Sequence, residues 1–146
     1  MNSLFPISSP SVIYRELAAC APILEKFGMA LSPAETAALA EQQSAALRSS
    51  GRIDLSGGAV KQLALIFCDS PYILRADWPD MLAQLLSLFY ALKNETADHI
   101  GDTALINAMY LRFHSVGGDM DALAGTPPEW LRHAAEGGDL DELWIV

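Results

Sequence analysis

The sequence predicts an all-α fold, an irregular bundle of about five principal helices plus two short ones around a central apolar helix. Three observations predict it. Alanine and leucine supply a large share of the 51% apolar residues, and both are good helix formers. Ser, Asp, Pro and Gly recur where helices would start and stop. Arg52-Ile53-Asp54-Leu55 alternates polar and apolar residues, but so short a bridge cannot make a sheet alone. The 146 residues fit one domain, placed at residues 11–138 between an irregular arm (1–10) and an acidic, apolar tail (139–146).

Pro6 and Pro10 block regular structure in the arm. Ser11 caps a first helix to about Phe27, in which Pro22 predicts a kink or break and after which Gly28 is the stop. Ser32-Pro33-Ala34-Glu35 is the clearest local signal. Ser32 caps, Pro33 takes the first helical position and Glu35 closes a capping box, so a second, alanine-rich helix runs to about Ser50 and stops at Gly51. Ser56-Gly57-Gly58 leads into a mostly apolar third helix to Cys68, broken by Asp69-Ser70-Pro71. The longest helix spans about Trp78 to Asp98. Met81, Leu85, Leu88 and Leu92 form one stripe, and Leu82, Leu86, Phe89 and Lys93 a parallel one, so it is apolar nearly all round. Such a helix is central, or it buries a second face on a partner. Asp102 caps a fifth helix to about Val116, with an amphipathic stripe of Leu105, Ile106, Met109, Tyr110 and Phe113. Gly117-Gly118 ends it. Asp119 begins a short helix to Ala124, and Pro127-Pro128 begins another to about Ala135.

The formal charge is −9, and it is polarised: residues 1–93 hold 8 acids and 7 bases, residues 94–146 hold 10 acids and 2 bases. No basic stripe exists, which disfavours nucleic acid. Anionic membranes would repel the C-terminal third, and no apolar run is long enough to span a bilayer. A basic partner surface is the natural complement, although acidity also serves solubility alone. Cys20 and Cys68 lie in apolar stretches, fit no zinc or redox spacing and read as buried free thiols. The N-terminus lacks the pattern of a secretory signal, so the expected location is cytoplasmic.

Glu95 with His99 and Glu129 with His133 stand four residues apart, which on a helix shares one face and could offer two metal ligands. The same spacing makes an ordinary carboxylate–imidazole pair, and diiron sites place His three residues after Glu. No metal and no cofactor is therefore expected. A nucleophilic site needs Ser or Cys beside His, and nothing in the spacing brings Cys68, Ser70 and a histidine together. Trp78, Trp130 and Trp144 are candidate anchors, or half-buried core.

Five segments carry a resemblance: Glu16-Leu17-Ala18-Ala19-Cys20, Gly28 to Glu35, Ser50-Gly51-Arg52-Ile53, Phe67 to Ile73, and Phe89 to Glu95. Over about residues 12–125 the chain resembles a family of small uncharacterised bacterial proteins known as a domain of unknown function. The resemblance implies a bacterial cytoplasmic protein and transfers no activity. The sequence itself favours a non-enzymatic protein-interaction module, engaging a protein partner or a second copy as a homodimer. The alternative is an enzyme or small-ligand sensor with a polar pocket near the third helix, built from Arg52, Asp69, Tyr72, Arg75 and Lys93.

Overall fold

The computed structural model describes residues 10–53 and 58–136. Seven α-helices, one 3-10 turn and no strand are found among them: α1 Pro10–Lys26, α2 Pro33–Ser50, α3 Gly58–Phe67, the 3-10 turn Arg75–Asp77, α4 Trp78–Glu95, α5 Asp102–Ser115, α6 Met120–Ala124 and α7 Pro128–Ala135. The all-α bundle is therefore as expected. Residues 1–9 of the arm, residues 54–57 (the end of the extended bridge and the lead-in to the third helix) and residues 137–146, the expected tail included, lie outside the described residues.

α1 runs through Pro22 without a break. Pro22 and Ala18 are both exposed, so the carbonyl that loses its amide partner faces water, which can replace the bond. Gly28 ends the helix at φ 70°, and the Met29 amide reaches back to the Leu24 carbonyl at 2.8 Å, a Schellman closure. Gly51 ends α2 in the same way, with the Arg52 amide on the Leu47 carbonyl at 2.9 Å. At the other end of α2 the capping box is complete. Ser32 Oγ accepts from the Glu35 amide at 3.1 Å, and Glu35 Oε1 accepts from the Ser32 amide at 2.9 Å.

α1 packs on α2 and α3, α4 packs on α2, α3 and α5, and α5 carries α6 and α7. Val60, Leu63, Ala64 and Phe67 of α3 are fully buried, so α3 and α4 share the centre. Trp78 opens α4 inside the core, its Nε1 donating to the Met29 carbonyl at 2.8 Å. Gln43 Nε2 donates to Tyr90 Oη at 3.1 Å, a buried tie between α2 and α4. Leu82, Leu86, Phe89 and Lys93 are all buried, as are Leu85 and Leu92 of the other stripe; Met81 and Leu88 are partly buried. The apolar surplus of α4 is thus covered largely by this chain's own helices.

Three expected boundaries are corrected. α1 already includes Pro10, so Ser11 is its second residue and not the cap before it. α4 stops at Glu95, not at Asp98. Ala97 and Asp98 take left-handed backbone, φ 52° and 59°, and Thr96 Oγ1 donates to the Leu92 carbonyl at 2.8 Å. α5 is capped by Gly101 with no side-chain bond, because the Asp102 carboxylate is taken by Lys93 at 2.8 Å.

The capping box gives a first prediction. Ser32→Ala is expected to cost about 0.5–2 kcal/mol, the usual range for a lost N-cap, measured by urea denaturation followed by circular dichroism. Unchanged stability would mean that the cap contributes nothing to holding α2.

Candidate functional site

Lys93 lies in the last turn of α4 with its side chain only 8% exposed. A buried ammonium must be paired and hydrogen-bonded. Its Nζ sits 2.8 Å from Asp102 Oδ1 and 3.6 Å from Asp98 Oδ1, and donates to the Ile100 carbonyl at 2.8 Å. Asp98 is shared. Arg52 meets it with both guanidinium nitrogens, at 2.6 and 3.1 Å, and reaches Asn94 Oδ1 at 2.7 Å. Asn94 Nδ2 donates in turn to the Ser50 carbonyl. The Arg52 guanidinium holds the Asp98 carboxyl below its ordinary pKa. Two cations and two carboxylates thus close one knot between the end of α2, the end of α4 and the start of α5.

A second cluster fixes residues 69–75, between α3 and α4. Ser70 is buried; its Oγ accepts from the Tyr72 amide at 3.3 Å and lies 3.0 Å from His114 Nε2. Tyr110 Oη donates to Asp69 Oδ1 at 3.0 Å. Burial and this bond push the Tyr110 pKa up to about 12. Tyr72 packs edge-on against Phe113 and His114, and over Gly118. A Cβ on Gly118 would meet Tyr72 Cβ at 2.5 Å, and Gly118 holds φ 81°, so both space and backbone call for glycine there. The far end of the loop is tied by Arg75, which reaches Glu35 Oε1 and the Ala30 carbonyl, both at 2.9 Å. Between these ties Ile73 points into the core, 4% exposed, while its neighbours Tyr72 and Leu74 stand out at 48% and 67%.

The five residues expected at one polar pocket therefore fall into three groups. Arg52 and Lys93 meet at Asp98, Asp69 and Tyr72 flank the Tyr110–His114 face, and Arg75 sits on Glu35. A groove of about 550 Å³ between α1 and α2 is bounded by Tyr14, Ala37, Ala40, Glu41, Ser44 and Arg48, and by none of the five. The Ser70–His114 contact has the spacing of a nucleophile and its base. In this setting the hydroxyl also holds the Tyr72 amide and is buried, the arrangement of a turn lock. Sequence spacing gave no sign of that contact, which joins residues 44 apart. Leu74 was missed too. Three apolar residues in a row after Pro71 are all that the sequence offers there; which of them face outward is set by the fold.

The Glu95–His99 pair does not share a helical face, because α4 ends at Glu95 and the left-handed turn intervenes. Glu129 and His133 do both lie on α7. Among the described residues no group of three or more His, Cys, Asp or Glu converges as a metal site, and no helix is long and apolar enough to cross a membrane. Cys20 and Cys68 are buried free thiols.

Two outcomes follow from this geometry. Asp102→Ala takes the nearer of two carboxylates from a buried ammonium, whereas Lys93→Met releases carboxylates that are already half in water. The first should cost about 1–3 kcal/mol in urea denaturation and the second less; the reverse order would remove Lys93 from its place as the group that needs pairing. Tyr110 supplies the other. Its folded pKa, about 12, exceeds the ordinary 10.0. Its contribution to stability is therefore complete below pH 10 and fades as pH rises from 10 to about 12. Ultraviolet titration should show a late phenolate that Tyr110→Phe removes, and a titration unchanged by that substitution would contradict the assignment.

No curated protein and no solved structure matches the chain. A family model does match, over residues 16–138, under the description "Family of unknown function (DUF6323)". That span takes in the end of α2, the α4–α5 corner and the whole 69–75 loop, and it covers most of the chain, which therefore belongs to this family of unknown function.

Proposed function

We propose that the protein is a non-enzymatic, cytoplasmic protein-interaction module, and that its contact face is the loop carrying Tyr72 and Leu74. One observation carries this reading. The loop exposes two large apolar side chains, 48% and 67%, while ties on both sides hold it: Ser70, Asp69 and Gly118 on one, Arg75 on the other. A loop that is ordered before binding loses little freedom when a partner arrives, and exposed Tyr is a preferred anchor at interfaces. Leu111, 47% exposed, lies one turn before His114 on α5.

The charged residues that would otherwise suggest a reactive pocket are engaged with one another. Arg52 and Lys93 bind Asp98 and Asp102, and Arg75 binds Glu35. Free, buried thiols suit a reducing compartment.

The test is site-specific photocrosslinking in the cells that make the protein. A crosslinker in place of Leu74 should give a discrete adduct with a protein, and one in place of Ala38, exposed on α2, should not. Identical adduct patterns at the two positions, or none at Leu74, would overturn the reading. An adduct of twice the chain's own mass would instead make the module a homodimer.

A further inference from the structure

The rim of this loop narrows the kind of partner. Asp69 opens the loop and is exposed; Asp77 and Asp80 follow it, both exposed. Asp119, also exposed, is the residue after Gly118, on which Tyr72 packs. Against these stand few cations. Between Lys61 and Lys93 the only base is Arg75, and its guanidinium is already on Glu35 at 2.9 Å. Between Arg112 and Arg132 there is no lysine or arginine at all. An apolar tip, Tyr72 and Leu74, therefore has exposed carboxylates before and after it in the chain and one more next to the glycine it rests on.

Resting on the interaction reading above, we propose that this face takes a short basic and apolar segment of a partner protein, in which lysine or arginine flanks a large aliphatic or aromatic side chain. The apolar residue covers Leu74 and the open side of Tyr72. The flanking cations lie toward Asp69 and Asp119, and the exposed ring of Tyr72 gives one of them a π face. The carboxylates draw such a segment in and fix its register, while the apolar contact holds it. A second copy of this chain fits the face poorly. It would bring the same acidic rim against itself, and like charges across an interface are unfavourable.

Phage-displayed random peptides selected against the full chain test this, with the enriched peptides then titrated by fluorescence anisotropy. Three variants separate the claims. Leu74→Ser removes the apolar tip at a position that is 67% exposed. Asp69→Asn keeps an oxygen for the Tyr110 hydroxyl, and Asp119→Asn keeps one for the amides at the start of α6, which Asp119 now caps. Unchanged melting of each variant confirms that only the surface has altered.

The enriched peptides should carry Lys or Arg beside a large apolar residue. They should bind about tenfold more weakly to Leu74→Ser, and by a similar factor to the Asp69→Asn/Asp119→Asn pair. Affinity should fall as salt rises from about 50 to about 500 mM, because added ions screen exposed charges. Neutral or acidic peptides that need Leu74 but ignore the two aspartates would overturn the basic partner and leave the interaction module standing. Peptides indifferent to Leu74→Ser, or no enrichment at all, would overturn both.

Discussion

The pairing of one buried ammonium sets the corner on which the bundle turns. Lys93 ends its helix inside the protein, where an unpaired charge would be severely unfavourable. Three acceptors answer it, Asp98, Ile100 and Asp102, and all three come from the ten residues after it. To place them the chain must leave α4 within one turn, take left-handed backbone at Ala97 and Asp98 and re-enter a helix at Asp102. Left-handed backbone at a residue other than glycine costs about 1–2 kcal/mol, and aspartate tolerates it better than most. The same Asp98 then receives Arg52, which joins the end of α2 to the corner. Where α5 starts, and hence the position of everything it carries, depends on this arrangement.

What the sequence disclosed divides along the range of the interactions. Helix ends governed by adjacent residues were legible. Ser32 and Glu35, Gly28, Gly51 and the Gly117-Gly118 pair each act on backbone groups within five residues, and each signal is a residue type with a single mechanical reason. The end of α4 was not legible, since no glycine or proline marks it. The helix pattern continues through Asp98, and what stops it is the demand of Lys93 together with Arg52, a residue 46 positions from Asp98. Asp102 was misread for the same reason: it has the chemistry of a cap, and a stronger claim on it comes from a buried cation. Pro22 was over-read, because its cost depends on whether the freed carbonyl meets water, and burial is not written locally.

The candidate site shows the same division. Arg52, Asp69, Tyr72, Arg75 and Lys93 were singled out as polar residues near the third helix, and four of them make long-range polar or ring contacts, while Lys93 pairs within nine residues of itself. Their grouping, however, was set by partners that the pattern did not connect to them. Asp98 collects Arg52 and Lys93, α5 collects Asp69 and Tyr72, and the capping glutamate of α2 collects Arg75. Glu35 illustrates how one side chain serves two levels at once. It closes the cap of its own helix and anchors the start of the 3-10 turn before α4, and the Arg75 guanidinium holds its carboxyl below the ordinary pKa. The family match runs across all of these ties without supplying a chemistry for them.

The apolar surface is where packing leaves something over. α4 looks in sequence as though it has a face to spare, yet α2, α3 and α5 cover most of it. The large apolar residues left in water are instead on connections, Leu74 and Tyr72 among them, and on the outer faces of α1 and α5. An exposed leucine alone is ordinary on any protein surface. The 69–75 loop differs in how it is held. Ile73 is pinned in the core between two outward side chains, a tyrosine rests on a glycine that cannot carry a Cβ, and ion-pair and hydrogen-bond ties close both ends. Core stability asks only that Ile73 be buried; it places no demand on Tyr72 and Leu74 to stand in water. A surface that is both apolar and fixed in shape is the arrangement that lowers the entropic cost of meeting a partner, and the acidic residues around it bias which partner that is.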